Sequence, residues 1–238
     1  MSVGLTTRQK EILFAIIEQH SVSAEAIGSN TITEHFDISP ATVRSEMAIL
    51  EHTGYLYQPH ISAGRLPTDK AYRLYVNSIE KPNLHKRRSD SINKKVMSHT
   101  NNIKGMVKMA TNVLSETTNS MAFSVLSGDF YSIGLNNLFS QPEIAFSEKI
   151  SEVARFIDSL QEWIMLSEIV DVLSIYIGHE NPVVKTSGLT TVIAKFRTPL
   201  SEHNYIGAIG PVRIDYQNTL ATVAYIGQTL EKELMGEN

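Results

Sequence analysis

Residues 39–67 constrain the fold of this chain more than any other segment of it. Ser39 followed by Pro40 is typical of a helix start, because serine can cap the first turn and proline at the first helical position loses no hydrogen bond. Gly54 predicts the end of that helix. Three apolar side chains at helical spacing form its buried stripe, Val43, Met47 and Leu50. A short amphipathic helix over residues 40–53 is therefore expected.

Two further helices are expected before this one, and a hairpin after it. Thr6 or Thr7 can cap the first helix, and the turn of the hairpin contains Gly64. In chain order we expect helices at residues 8–20, 29–36 and 40–53, strands at residues 55–58 and 65–66, and a fourth helix from residue 67. Three helices followed by a hairpin are the plan of a winged helix-turn-helix, which places its third helix in the major groove of DNA.

The candidate DNA-binding surface consists of the outer face of the third helix, the hairpin and the start of the fourth helix. The outer face is small apart from Arg44, which can bind guanine or a phosphate, and the sequence does not decide between the two. Gly64 lets the backbone approach phosphates, and Arg65 suits a phosphate or a narrow minor groove. Lys70 and Arg73, three residues apart, share a helix face. The expected DNA-binding residues are Ser39, Pro40, Ala41, Thr42, Arg44, Ser45, His60, Ser62, Gly64, Arg65, Lys70 and Arg73.

Composition excludes several classes of protein. The chain has 238 residues and no cysteine, so disulfides, thiolate catalysis and cysteine–zinc sites are excluded. We see no secretory signal and no run of about 20 apolar residues, so a cytoplasmic location without a membrane span is expected. The net charge of −4 is weak support for a nucleic-acid ligand, although residues 1–95 contain 12 basic and 10 acidic side chains. The DNA-binding prediction therefore depends on where the cations lie.

The second half of the chain mixes helical and strand periodicity. Residues 81–95 are polar and basic, which predicts a domain boundary, and one helix is expected from about residue 89 through Leu114. That helix is either an amphipathic linker or a dimer-interface helix. Strands are expected at residues 121–126, 173–177, 189–196 and 205–209, and helices at residues 148–170 and 215–234. We expect an α+β fold with an antiparallel sheet, and domains at residues 1–80, 81–118 and 119–238.

Two separated parts of the chain resemble one family. The segment SPATVRSEMAILEHTGYLYQPHISAGRLPTDKAYRLYV is similar to the DNA-binding domain of the heat-inducible transcription repressors of the HrcA type, and LTTRQKEILFAIIEQH resembles their first helix. The segments LNNLFSQPE, IYIGHEN and YIGAIGPVRIDYQNTLATVAYIGQTLEKEL resemble their C-terminal blocks. The resemblance covers about residues 5–80 and 135–235, in the same order.

The resemblance implies a dimeric repressor of chaperone operons that binds an inverted-repeat operator, the CIRCE element, with the GroE chaperonin as a partner. It also implies that the second domain is a reduced GAF-like domain. Three departures are visible: Ser45 where the family usually has asparagine, Ile61 where threonine is common, and a short segment between Thr117 and Leu135. That segment lacks the usual dimerising insertion, so dimerisation would use another surface, such as residues 91–118 or the last helix.

Alternative functions receive less support from the sequence. A winged-helix regulator controlled by a small molecule in the second domain is the main alternative. Gly207 and Gly210 fit no phosphate-binding motif, and His179 with Glu180 has no nucleophile or metal ligand spaced nearby. An enzyme fused to a DNA-binding domain is therefore not expected, and neither is a cofactor or a metal site.

Overall fold

The chain divides into two compact units, Met1–Glu80 and Lys81–Asn238, each described by itself. This computed structural model describes residues 4–34, 36–80, 82–98, 102–145, 147–167, 169, 171–182 and 188–236. The first unit contains the helices α1 (Thr7–Ser23), α2 (Ser29–Thr33), α3 (Pro40–His52) and α4 (Asp69–Asn77). The strands β1 (Leu56–Tyr57) and β2 (Leu66–Pro67) lie between α3 and α4 and pair antiparallel.

The helices of the first unit begin where short polar side chains can cap them. Thr6 and Gln9 form a capping box at the start of α1, Ser39 accepts a hydrogen bond from the Thr42 amide, and Thr68 accepts one from the Ala71 amide. The apolar stripes then meet in one core, whose members from α1, α2, α3 and α4 include Leu13, Ile16, Ile32, Val43, Met47, Leu50 and Tyr72. The predicted stripe of α3 is thus buried as expected.

Three boundaries in the first unit differ from the sequence prediction. Helix α2 ends at Thr33, not at residue 36; four of its five residues are short and polar, and the Thr33 hydroxyl donates to the Asn30 carbonyl. His35 lies outside the described residues. Each strand of the hairpin has only two residues, and Pro67 belongs to β2, so α4 begins two residues later than expected, behind its cap Thr68.

The second unit contains one five-stranded sheet with helices on both faces. Its strands are β3 (Met121–Leu126), β4 (Asp129–Ile133), β5 (Leu173–Ile177), β6 (Leu189–Thr198) and β7 (Ser201–Pro211), in the order β4-β3-β7-β6-β5, and each neighbouring pair is antiparallel. Its helices are α5 (Lys86–Met97), α6 (Ile103–Thr118), α7 (Leu135–Phe139), α8 (Ser147–Leu166) and α9 (Tyr216–Met235). The expected mixture of helices and an antiparallel sheet is confirmed.

The two faces of this sheet are covered by different helices. Helices α6 and α9 pack on one face, and α5 packs on α6. Phe156, Leu160 and Ile164 of α8 share a buried apolar cluster with Phe123 of β3 and Ile193 of β6, which places α8 on the other face. The sheet is therefore the middle layer of the unit, which explains why most side chains of β6 and β7 are buried.

The prediction of a single helix after the domain boundary is wrong. Two helices, α5 and α6, occupy this stretch, and Asn102 starts the second one by accepting a hydrogen bond from the Lys104 amide. The helical spacing of apolar residues continues across the join, so periodicity alone did not show the break. The sequence also gave no indication of β4 or α7.

Candidate functional site

The outer face of α3 presents small side chains around one arginine. Ala41, Ser45 and Ala48 are exposed, and the Ser39 hydroxyl lies 3.0 Å from the Thr42 hydroxyl at the start of the helix. The guanidinium of Arg44 is exposed; its Nε donates to the Pro40 carbonyl of the same helix, 3.3 Å away. Arg44 has no ion-pair partner within the described part of the chain. This cation is therefore available to a ligand.

The turn of the hairpin, residues 58–65, is held in shape by one amide side chain. Nε2 of Gln58 donates to the Ala63 carbonyl at 2.8 Å and to the Ile61 carbonyl at 3.2 Å. The Ala63 amide donates to the His60 carbonyl at 2.9 Å, and the Ser62 hydroxyl lies 3.4 Å from Nδ1 of His60. Ile61 is 96% exposed at the tip. The turn is thus a preformed projection with an apolar tip.

The base of the hairpin is joined to the chain before α2. The Arg65 amide donates to the Ile27 carbonyl and the Ile27 amide to the Arg65 carbonyl, both at 2.9 Å, so Ile27 is a third, one-residue strand. A β-carbon on Gly64 would lie 2.5 Å from the carbonyl carbon and oxygen of Ile27. Glycine is required here by the close approach of protein backbone. Contact of Gly64 with phosphates stays a prediction.

Arg65 contacts a carboxylate of α3. Its Nε and Nη2 both lie 3.0 Å from Oε2 of Glu51, and the side chains are 20% and 35% exposed. The sequence predicted a phosphate or minor-groove ligand at this position. The structure places the guanidinium between the hairpin base and the last turn of α3, where its charge is paired with Glu51. Contact of Arg65 with a phosphate or a minor groove stays a prediction.

Lys70 also contacts the end of α3. Its Nζ donates to the Thr53 carbonyl at 2.8 Å and lies 4.1 Å above the ring of Tyr55. A cation at a helix C-terminus satisfies a carbonyl that has no partner within the helix. Arg73 lies half-buried one turn further along α4. Binding of the DNA backbone by Lys70 and Arg73 together stays a prediction.

Tyr57, which lies on the hairpin, has a pKa above that of an ordinary tyrosine. Burial raises the pKa of Tyr57, and the negative charge of Asp69 raises it further. Because the ordinary pKa of tyrosine is about 10, the Tyr57 hydroxyl keeps its proton at neutral pH. It can donate a hydrogen bond to an acceptor such as a phosphate oxygen.

Sequence reasoning placed the outer face of α3 but missed three residues that hold the hairpin. Glu51, Gln58 and Ile27 act through contacts with residues 14, 5 and 38 positions away, respectively. Of the three, only Gln58 could have been identified from the local sequence, because a long amide side chain next to a short loop can bond to the loop carbonyls.

The second unit contains the other residues that the sequence offered as possible sites, namely His179 with Glu180, and the glycines Gly207 and Gly210. The residues resembling a family block around His179 form a single 3₁₀ turn, in which Glu180 accepts a hydrogen bond from the Ile177 amide, while buried Asn181 donates to the Gly178 and Leu189 carbonyls. Gly207 lies within β7 against the Phe123 ring, and Gly210 lies against Ile214 near the end of the strand. Glu180, Asn181 and the two glycines therefore make contacts within the fold of the second unit.

Neither a metal centre nor a membrane span is visible in the residues that the structure covers. Among them, no three His, Cys, Asp or Glu side chains come together as metal ligands would. Their helices are too short or too polar to cross a bilayer. One cavity of about 210 Å³ lies between α6 and the β3–β4 hairpin, and another of about 470 Å³ lies beside the end of α8.

Comparison with known proteins finds a family model and curated relatives that share one family name. A family model described as the HrcA protein C terminal domain matches residues 11–220. Three curated relatives bear the name heat-inducible transcription repressor HrcA. The one from Clostridioides difficile is 43% identical over 118 residues, or 48% of this chain and 35% of that one; the one from Carboxydothermus hydrogenoformans is 42% identical over 134 residues, or 55% and 39%. The one from Thermoanaerobacter pseudethanolicus is 56% identical over 77 residues, or 32% and 22%.

The matches cover only part of these relatives, from about a fifth to two fifths of their length. Among solved structures, one described as the crystal structure of a hypothetical protein at 2.2 Å resolution superposes with a TM-score of 0.80. It is 16% identical and covers 99% of this chain and 100% of its own. At that identity the likeness shows a shared fold.

Proposed function

The chain belongs to the HrcA family, and from that premise we propose that it is a transcriptional repressor of heat-shock genes that binds operator DNA through its first unit. In this proposal the first unit is a winged helix-turn-helix, α3 is the recognition helix, and residues 58–65 are the wing. The second unit is a reduced GAF-like regulatory and dimerisation domain. The proposed activity is binding and not catalysis, in keeping with the names of the relatives.

The observation that carries the proposal is the outer face of α3. It combines an exposed, capped N-terminus with small side chains and one arginine whose charge has no carboxylate partner among the described residues. A helix with small side chains can approach base edges closely, and an arginine near its start is within reach of guanine O6 and N7. Ser39, Pro40, Ala41, Thr42, Arg44 and Ser45 are the proposed contacts on this element, with His60 and Ser62 from the wing.

The proposed form of the operator is the one that the symmetry of a proposed dimer would match. A twofold dimer presents two recognition helices, so its best site is an inverted repeat with half-sites on matching faces of the duplex. We therefore propose a CIRCE-type inverted repeat as the operator, a homodimer as the binding species and the GroE chaperonin as a partner. These three parts rest on the family resemblance.

The test is a titration of labelled DNA with the full chain, followed by fluorescence anisotropy at several salt concentrations. The probes are a CIRCE-type inverted repeat, the same sequence with one half-site scrambled, and a fully scrambled duplex. We expect two chains per intact probe and binding at least about 1,000-fold tighter than to the fully scrambled probe. Equal affinity for all three probes would contradict the proposal. Adding purified chaperonin to the same titration tests the partner.

A second candidate function is regulation by a small molecule. The cavity of about 470 Å³ beside the end of α8 has the size of a small-ligand site and combines apolar and polar walls, among them Ile164, Met165, Tyr205, Ser127 and Ser201. A metabolite screen by thermal shift tests this candidate. A compound that raises the melting temperature of the full chain and changes its operator affinity would support it, whereas stabilisation without any change in affinity would count against it.

A further inference from the structure

We infer that Glu51 and Arg65 form a clamp that fixes the wing against the recognition helix, so that Arg65 is a positioning residue for DNA binding and not a phosphate ligand. This inference rests on the proposed function. It assigns a role to Glu51 and replaces the role that residue type alone suggested for Arg65.

The first step of the argument is the geometry of the pair. Nε and Nη2 of Arg65 converge on one carboxylate oxygen of Glu51, at 3.0 Å each. Glu51 lies in the last turn of α3, and Arg65 is the last residue of the wing, directly before β2, so the pair joins the two elements that are proposed to contact DNA. Two N–H groups directed at one oxygen fix the orientation of the guanidinium plane.

The second step is the fixed backbone of Arg65. Both of its backbone groups are hydrogen-bonded to Ile27, and Gly64 leaves no space between the wing and the Ile27 carbonyl. The residue cannot move toward solvent as a unit without breaking this pairing. A phosphate contact would then require the side chain alone to turn away and leave the half-buried Glu51 carboxylate unpaired, which is unfavourable.

The third step is that the chain after the wing also bonds to the two residues that follow α3. Lys70 donates to the Thr53 carbonyl, and the Thr68 hydroxyl donates to the Gly54 carbonyl at 2.8 Å. The C-terminal end of α3 and the two residues after it are therefore the support of the wing and of the start of α4, while the N-terminal end of α3 carries the proposed base contacts. The Glu51–Arg65 pair is the ionic member of that support.

The experiment compares Glu51→Gln, Arg65→Met and the double variant in the operator titration across a salt series. A clamp predicts a loss of about fivefold to tenfold for each single variant, no further loss in the double variant, and an unchanged dependence of affinity on salt. Arg197→Met is the matched control, because Nε and Nη2 of Arg197 bond to one oxygen of Glu231 in the second unit. It should bind like the unchanged protein.

A phosphate ligand predicts a different pattern. Arg65→Met would then lower the slope of log affinity against log salt by about 0.9, the release of one counterion, while Glu51→Gln would bind normally. That pattern overturns the inference, as does normal affinity in both single variants.

Amide hydrogen exchange at Arg65 and Ile27 separates this inference from the proposed function, since it needs no DNA. Faster exchange in both single variants supports the clamp even if the unchanged protein shows no preference for the inverted repeat, in which case only the proposed function fails. Unchanged exchange overturns the clamp.

Discussion

Helix α3 and the turn of the hairpin each contain an arginine that the sequence predicts to bind DNA, but the surroundings of the two arginines differ in the structure. Arg44 is exposed and bonds only to a carbonyl of its own helix among the described residues, whereas Arg65 is half-buried and paired with Glu51. One cation is available to a ligand, and the other is already paired with a carboxylate of the protein. Residue type is the same in both regions, so the difference comes entirely from the fold.

This contrast shows what a charged residue in a sequence does and does not establish. A cation on a predicted binding surface identifies a candidate ligand for phosphate, but pairing with a carboxylate lowers its value as a ligand because the pair must first be broken. The partner of Arg65 is 14 residues away and on another element.

The first prediction concerns the support of the wing. In Gly64→Ala the new β-carbon would meet the Ile27 carbonyl at 2.5 Å, and the least costly relief is to open the two hydrogen bonds between Ile27 and Arg65. We expect the free energy of opening of the first unit to fall by about 2–3 kcal/mol, from two hydrogen bonds of about 1 kcal/mol each plus residual strain. Amide hydrogen exchange of peptides from this region measures it.

Gly28→Ala is the control for this substitution. No heavy atom lies within 4 Å of a β-carbon built there, so we expect a change below about 1 kcal/mol, the difference between glycine and alanine at a helix N-cap. Equal exchange rates in both variants would show that the wing tolerates movement away from Ile27. The wing would then be less fixed than the contrast between Arg65 and the exposed Arg44 requires.

The second prediction concerns the recognition helix. Arg44→Ala should weaken operator binding by about 1–3 kcal/mol without changing the melting temperature, because the side chain is exposed and packs on no other element. If Arg44 binds a base, the scrambled probe loses less affinity than the operator does. If it holds a phosphate, both probes lose affinity, and the salt slope falls by about one counterion.

Arg155→Ala is the matched control for Arg44→Ala. The Nε of Arg155 donates to a carbonyl four residues earlier in its helix at 3.3 Å, as that of Arg44 does, but Arg155 lies in the second unit. Operator affinity should be unchanged. Wild-type affinity in Arg44→Ala itself would remove the recognition helix from the proposed interface.

Much of the fold was predictable because short sequence patterns, such as helix caps and stop residues, determine several of its elements. The cap at Ser39, the proline at residue 40 and Gly54 placed α3 within a residue at each end, and strands β3 and β5 were located at their observed bounds. Gly54 has a φ of +76°, a conformation that glycine adopts at little cost, which is why it is a dependable end point for a helix.

The remaining elements depended on contacts that a sequence pattern does not contain. Strand β4 is a partly exposed edge strand that pairs with β3 alone among the described strands, so no strong apolar alternation indicates it in the sequence. The separation of α5 from α6 occurs without a proline, and the apolar period continues through it. In the same way, the outer face of α3 was predictable from its buried stripe, whereas the partners of the wing were not.

The third prediction tests Lys70, which, like Arg65, contacts the C-terminal end of α3. Lys70→Met removes the hydrogen bond to the Thr53 carbonyl and the contact with the Tyr55 ring, which together should lower stability by about 1 kcal/mol. Exchange of the amides at the end of α3 should become faster, with little change in the salt slope. Lys10→Met, at an exposed position of α1, controls for the loss of charge. A lower slope with unchanged exchange would instead support the DNA-backbone contact that the sequence predicts.

The smallest expected effect concerns the tip of the wing. Ile61 is 96% exposed, so Ile61→Ser should change stability by less than about 0.5 kcal/mol. Gln58 holds the turn in shape, so the tip presents an apolar side chain in a defined position. If that side chain meets the wall of a groove, burying about 40 Å² of it contributes about 1 kcal/mol to operator binding, and the loss in Ile61→Ser appears at every salt concentration because no charge is removed.

Val22→Ser is the control for Ile61→Ser, because Val22 is 86% exposed in the last turn of α1 and takes no part in the proposed interface. A salt-independent loss for Ile61→Ser alone would mean that the two regions bind DNA by different interactions. The helix face would bind through Arg44, and the wing through the burial of an apolar side chain. Normal affinity in both variants would mean that the wing tip stays clear of DNA. The clamp at its base would then matter for the position of α3 itself, since Glu51 and Arg65 hold the helix as much as they hold the wing.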